Sequence, residues 1–342
     1  MKTWGWNLAF YIFTIYLFGC AQLPDPTLEF RENLRREVNT QQWIFQDLNA
    51  SFSPFMEQYI VHWKFREFKS PWGNKTRVAF RLFDCSQDDL FAVVFVPPRP
   101  PRGTFFILHG YLASLGNFSG IIRVMLEEGW AVTAMDLPGH GLSGGARADA
   151  KDFIIYQKSL KCWLEKLSEI RTVLPRPWVV LGHSTGASAI VDYSVHNELP
   201  WDLVILSAPL IRHVWWELGQ GLSWVNQWWL KSIQPLVSPD PLVGIYNVPI
   251  SWVLALGRWE SQLRLKAKSE VSVLFHQDRD DQVVLYQHNL PLLGRGFPNN
   301  KVFWQQGMGH VTLADFHRYH EAFLPILDWI LENQGVMHLE EQ

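Results

Sequence analysis

The sequence predicts an α/β chain, with a mostly parallel central sheet and helices on both faces. Three observations carry this. Short apolar runs alternate with longer stretches of helical spacing from about residue 75 onward. One of those runs ends in Gly182-His183-Ser184-Thr185-Gly186. Two later runs lead into a carboxylate-rich loop and a glycine-flanked histidine. Alternation of this kind favours parallel strands joined by helical crossovers.

In order, Val78 to Phe83 and Leu90 to Val96 read as strands, and Pro97-Pro98-Arg99-Pro100-Pro101 as a stiff connector. Thr104 to Leu108 and Trp130 to Met135 follow as strands. Phe153 to Val173 carries apolar residues three and four apart and reads as one helix. Trp178 to Leu181, Leu203 to Leu206, Val271 to Phe275 and Lys301 to Trp304 complete the strands, and Phe316 to Leu331 closes the core as a helix. Runs this apolar suit strands buried on both faces.

The Ser184 pentapeptide places a serine on a sharp strand-to-helix turn. Gly182 and Gly186 are needed there because a side chain at either place would clash as the chain doubles back. A serine becomes a nucleophile only with a base beside it and a third group to orient that base. His310 is the candidate base, sitting after a short strand in Gln306-Gly307-Met308-Gly309-His310. The loop Gln277-Asp278-Arg279-Asp280-Asp281 offers three carboxylates, Asp278, Asp280 and Asp281. Adjacent loop residues can each point inward, so the loop itself leaves the acid open between them, with Asp280 preferred. The developing oxyanion needs two backbone N–H donors. Thr185 supplies one. The loop His109-Gly110-Tyr111 supplies the other through Tyr111, with Gly110 giving close approach and His109 read as a brace.

His109-Gly110-Tyr111, Asp136-Leu137-Pro138-Gly139-His140-Gly141-Leu142-Ser143, the Ser184 elbow, Asp280-x-x-Val283 and Gly309-His310 together resemble α/β-hydrolases of the monoacylglycerol lipase and bacterial lysophospholipase type. The resemblance covers roughly residues 75 to 335. It implies the α/β-hydrolase fold, with Ser184 as nucleophile, Asp280 as acid, His310 as base, and Tyr111 and Thr185 as oxyanion donors. One departure concerns head-group recognition. Where such sequences often carry an acidic residue and a histidine after the His-Gly loop, this chain has Ala113-Ser114. An aspartate nucleophile is excluded by Ser184. An acid after the Leu203 to Leu206 strand is excluded by Ser207-Ala208-Pro209, which has no carboxylate. Peptidase relatives usually need a charged group to hold a free amino terminus, and none stands out.

Residues 75–211 and 271–335 are therefore expected to form the core, interrupted by an insertion at 212–270. That insertion carries Trp215, Trp216, Trp224, Trp228, Trp229, Trp252 and Trp259, and is read as a helical cap with an apolar wall for an acyl chain. Upstream, a basic start and the apolar run Leu8 to Phe18 read as a secretory signal over residues 1–20. Leu17-Phe18-Gly19-Cys20 resembles a bacterial lipoprotein box, which would make Cys20 the lipidated first residue of an envelope protein. An uncleaved anchor or a plain secreted protein are the alternatives. Residues 21–74 are expected to be a tether and an accessory helical region.

A net charge of −3 gives no nucleic-acid footprint, and a membrane surface is the expected partner. Cys85 and Cys162 are too few for a disulfide framework, though one bridge between them is possible. No metal-ligand spacing stands out, and the chemistry calls for no cofactor. The expected activity is ester hydrolysis on a single-chain lipid through an acyl-enzyme. The alternatives are a small-ester, thioester or amide hydrolase or an acyltransferase of the same fold, and a non-catalytic lipid-binding protein.

Overall fold

A computed structural model of the chain describes residues 28–38, 40–67, 75–85, 88–217, 232–233, 248–268, 270–311, 313–314 and 319–340. The apolar run at 8–18, Cys20, and Trp224, Trp228 and Trp229 lie outside the described residues.

Nine strands form one sheet: β1 (Gln46–Asp47), β2 (Arg77–Cys85), β3 (Asp88–Val96), β4 (Thr104–Leu108), β5 (Ala131–Met135), β6 (Trp178–His183), β7 (Leu203–Ser207), β10 (Ser272–Asp278) and β11 (Asn300–Gln305). Their spatial order is β1-β2-β3-β5-β4-β6-β7-β10-β11. Pairing is antiparallel through β1, β2, β3 and β5, and parallel from β5 to β11. The central strands β4, β5, β6 and β7 are buried throughout, which explains their unbroken apolar sequences.

Helices cover both faces. On one lie α4 (Ile154–Leu167), α5 (Thr185–His196), α6 (Ile250–Gln262) and α7 (Tyr286–Gly296), packed through Tyr156, Trp163, Ile190 and Leu293. On the other lie α1 (Leu28–Glu37), α2 (Pro54–His62), α3 (Ser119–Glu127) and α8 (Tyr319–Glu340). The two N-terminal helices are built onto the sheet: Tyr59 of α2 packs against Phe80 and Phe91. Arg35 of α1 bonds the Leu142 carbonyl and the Asp89 carboxylate, the latter at 2.8 Å.

The helix expected over Phe153 to Val173 is shorter. α4 ends at Leu167, and a tight turn of 3₁₀ type runs from Ser168 to Val173, with Ile170 leaving helical angles. Three-residue and four-residue spacing is shared by both helix types over so short a run, so the pattern did not mark the change. Cys85, ending β2, and Cys162, on α4, form a disulfide. Within the insertion, β8 (Ser232–Ile233) and β9 (Val248–Pro249) pair antiparallel, and α6 follows.

Candidate active site

The elbow forms at the carboxyl end of β6, the edge where parallel α/β sheets present their loops. Ser184 sits at φ 50° and ψ −111°, between the last residue of β6 and the first of α5. Such an angle is costly for a residue with a Cβ, and packing must hold it. The Ser184 N–H donates to the Ser207 carbonyl at 2.9 Å. A Cβ on Gly182 would lie 2.8 Å from both the Ala187 nitrogen and the Gly186 carbonyl oxygen. One on Gly186 would lie 2.6 Å from the His109 carbonyl oxygen and closer still to that of Leu108. Both glycines are thus required for space.

Ser184 Oγ lies 3.1 Å from His310 Nε2, and His310 Nδ1 lies 2.9 Å from a carboxylate oxygen. That carboxylate belongs to Asp281, not to Asp280. The reason lies in the length of β10, which runs to Asp278 rather than stopping at Phe275. Its pairing with β11 carries the strand two residues beyond His276, so the turn falls later. Asp278 Oδ1 then accepts the Asp280 N–H at 2.7 Å, and the Asp280 carboxylate accepts the Gly307 N–H at 2.9 Å. Asp278 Oδ2 accepts the Met308 N–H at 2.9 Å. Asp278 and Asp280 therefore brace the loop that carries His310, while Asp281 meets its imidazole. Gly307 at φ 86° and Gly309 at φ 72° let that loop turn back toward the elbow.

Asp281 is buried and fully partnered. Oδ1 accepts the Val283 and Val284 N–H groups at 2.8 and 3.1 Å, and Oδ2 accepts Gln277 Nε2 at 3.0 Å besides His310. Burial pushes its carboxyl up. The bond to His310, the charge of that imidazole and the two backbone donors outweigh this and hold it below the usual carboxylate range. Gln277 did not stand out in the sequence; its only signal is a polar residue at a fully buried strand position.

The loop after β4 is set by two buried groups. His109 Nε2 accepts the Leu137 N–H at 2.9 Å, so its proton sits on Nδ1, which donates to the Gly110 carbonyl at 2.7 Å. Burial pushes the His109 imidazole down to about 4 and keeps it neutral. Asp136, also buried, accepts the Leu115 and Leu142 N–H groups at 2.7 and 2.8 Å. A Cβ on Gly110 would lie 3.1 Å from Ser184 Cβ, so the loop rests against Ser184. Tyr111 follows directly, its ring stacked on Trp252 at 3.8 Å and its hydroxyl donating to the Ala148 carbonyl at 2.6 Å. Thr185, first residue of α5, has an N–H beyond the reach of the intrahelical ladder. Thr185 thus adjoins Ser184 in the chain, and Tyr111 follows the glycine that rests against it.

Of the described tryptophans in the insertion, Trp216, Trp252 and Trp259 are buried. Trp252 donates from Nε1 to the Tyr156 hydroxyl at 2.8 Å, and Trp259 stacks on Phe153 at 4.8 Å. Trp215 is 69% exposed. Among the described residues no group of three or more His, Cys, Asp or Glu side chains is arranged to hold a metal ion, and no helix is long and apolar enough to cross a membrane.

A family model described as serine aminopeptidase, S33 (Hydrolase_4) matches residues 99–239. The chain is similar to a monoacylglycerol lipase of Mycolicibacterium smegmatis, at 29% identity over 119 residues, 35% of this chain and 42% of that protein. It is similar also to a phospholipase of Bacillus subtilis, at 29% over 112 residues, 32% of this chain and 42% of that one. The chain spans about two fifths of the length of these curated relatives. Among solved structures, a soluble variant of the Saccharomyces cerevisiae monoglyceride lipase with a substrate analog aligns at a TM-score of 0.63 and 12% identity. That alignment covers 75% of this chain and 94% of that one. The monoacylglycerol lipase of Paleococcus ferrophilus aligns at 0.56 and 19%, over 71% and 98%. At these identities the likeness shows the fold.

Proposed function

We propose that the chain, which has the α/β-hydrolase fold, is a serine carboxylic-ester hydrolase acting on single-chain lipids, a monoacylglycerol or a lysophospholipid. The observation that carries the reading is the continuous bond path from Ser184 Oγ through His310 to Asp281, each step within hydrogen-bond reach. Ser184 Oγ attacks the ester carbonyl while His310 Nε2 takes its proton. Asp281 holds the Nδ1 proton and stabilises the imidazolium without itself taking up a proton. The Tyr111 and Thr185 N–H groups receive the oxyanion. Collapse expels the alcohol, protonated by His310, and leaves an acyl group on Ser184. His310 then takes a proton from water as it attacks the acyl carbonyl, and collapse breaks the Ser184 Oγ–acyl bond, returns that proton to Oγ and frees the acid.

Two features support a lipid substrate. The Tyr111–Trp252 stack presents an aromatic wall beside the oxyanion loop. Around the site, Trp215, Val283 and Val311 are exposed at 69%, 44% and 50%. Trp215 and Val283 are brought together by the Val214 N–H bond to the Val283 carbonyl, and Val311 adjoins His310. Exposed apolar side chains close to the triad residues in the chain suit contact with a membrane surface, where tryptophan is favoured. Of the relatives, one is named for a monoacylglycerol and one for a phospholipid, both lipid esters.

An exported, envelope-anchored protein with lipidated Cys20 belongs to the same proposal. The Cys85–Cys162 disulfide supports it, since such bonds persist in oxidising compartments. Cys20→Ser is expected to release the protein from the membrane fraction; unchanged membrane retention removes the lipid anchor.

The test of function is turnover of the full-length protein in detergent against esters of increasing acyl length, beside aminoacyl amides. Efficiency that climbs with acyl length supports the lipid reading. A preference for short esters, or for the amides, replaces it with a small-ester or peptidase activity.

A further inference from the structure

Four polar side chains that the triad does not use form a chain beneath it. His183, Ser207 and His276 are aligned in register across β6, β7 and β10. His183 Nδ1 lies 3.4 Å from Ser207 Oγ, and Ser207 Oγ lies 3.0 Å from His276 Nδ1. His276 Nε2 lies 2.9 Å from Gln305 Oε1, at the end of β11. The Gln305 amide nitrogen then donates to Met308 Sδ at 3.1 Å, two residues before His310. His183, Ser207 and His276 are buried.

The donors and acceptors allow one consistent assignment. With the Gln305 nitrogen facing Met308, its oxygen faces His276, so His276 carries its proton on Nε2. His276 Nδ1 is then an acceptor and takes the Ser207 hydroxyl proton. Ser207 Oγ is left to accept from His183 Nδ1–H. Burial pushes both imidazoles down, so both stay neutral.

The His183 ring is wedged where this matters. Its centroid is 5.0 Å from that of His310, and a Cβ on Gly110 would lie 2.9 Å from His183 Cδ2. The ring therefore sits behind the base and against the oxyanion loop. The groups facing it are His310 and Asp281 from the loops after β11 and β10, His276 from β10 and His109 from the loop after β4.

We propose that His183 is a positioning residue for His310, fixed in one orientation and one tautomer by the hydrogen-bonded chain through Ser207 and His276 to Gln305. The proposal rests on the reading of Ser184 and His310 as nucleophile and base. With Nδ1–H committed to Ser207, the His183 ring cannot turn to offer a competing donor. A ring that stays neutral also leaves on His310 the proton taken from Ser184.

One test does not depend on activity. Nitrogen-15 spectra of the histidine-labelled full chain at about pH 6 should show neutral rings protonated on Nδ1 for His183 and on Nε2 for His276. A charged His276, or the opposite tautomer at either ring, overturns the chain. A kinetic test follows, on variants shown to melt cooperatively. Ser207→Ala should lower kcat about tenfold with KM held within about twofold, and displace the acid limb of the pH profile. Gln305→Leu, at a half-buried site, should act in the same direction, and the double variant should lose no more than the worse single one. Wild-type kcat in folded Ser207→Ala, or fully additive losses, overturns the proposal. Absence of ester turnover and of fluorophosphonate labelling in the wild-type chain would instead strike the serine hydrolase reading, and the spectra would still decide the chain.

Discussion

The elbow after β6 and the paired loops after β10 and β11 build one site by opposite means. At the elbow, space decides. Gly182 and Gly186 are there because backbone atoms stand within 2.8 Å of any added Cβ. In the later loops nothing lies within 4 Å of a Cβ built on Gly307 or Gly309, and positive φ is what calls for glycine. The elbow is held by the main chain; the later loops are held by side chains, with Asp278 and Asp280 bracing backbone donors so that Asp281 can meet His310. A site half fixed by its backbone and half by carboxylates should respond differently to substitution in each half.

The largest effect belongs to Ser184→Ala, expected to cost at least about 10⁴-fold in kcat with the fold retained. Turnover near wild type in a Ser184→Ala preparation would take the serine out of the chemistry. Next, Asp281→Asn should cost about 10³- to 10⁴-fold, while Asp280→Asn, which weakens only a loop brace, should cost about fivefold or less. A reversed ranking would return the acid to Asp280. Gly186→Ala tests the elbow's dependence on space, and should destabilise by about 3 kcal/mol in denaturant unfolding, since its new methyl meets two fixed carbonyls. A neutral outcome would show that the elbow can relax.

The pH profile of stability probes the oxyanion side. The buried His109 imidazole is held at about 4 against an ordinary 6.5. Between those values the unfolded chain binds a proton and the folded chain does not. Stability is therefore complete above about 6.5 and declines as pH falls toward about 4, by about 2 kcal/mol between pH 7 and pH 5 from this group alone. Burial displaces His140, His183 and His276 in the same sense. Asp281 acts lower: its depressed carboxyl contributes stability above the ordinary carboxylate range and loses it as pH falls below. Unfolding midpoints that do not change across pH 7 to 5 would contradict the buried neutral assignment. The smallest effect is Gly307→Ala, about 1 kcal/mol, because only the backbone angle opposes it.

This division also explains what could be read from the sequence. Glycine at a spatially required position leaves a fixed pattern, so Ser184 and its two glycines were legible, as was His310 between Gly309 and the following helix. The central strands themselves were legible because unbroken apolar runs report burial on both faces. The acid was not. Three carboxylates shared the loop, and which one turns inward depends on β10 reaching Asp278, a property of its pairing with β11. Gln277, Ser207 and His276 escaped for a related reason. Their roles come from register across strands, and a single strand's sequence does not carry its neighbour's register. The end of α4 at Leu167 went unmarked because both helix types place the same residues inward over one turn.

The Cys85–Cys162 bond bears on the unfolded chain as much as on the folded one. It closes a loop of 77 residues that holds β3, β4, the His109–Tyr111 loop, α3, β5 and Asp136. Tyr111, His109 and Asp136 lie inside that loop; Ser184, Thr185, Asp281 and His310 lie outside it. A cross-link spanning this length removes about 4 to 5 kcal/mol of chain entropy from the unfolded ensemble in the loop-closure account. Against a typical total of about 5–15 kcal/mol, that is a large share. The same polypeptide is therefore a markedly more durable molecule once oxidised, and its tolerance to heat reports where it was folded.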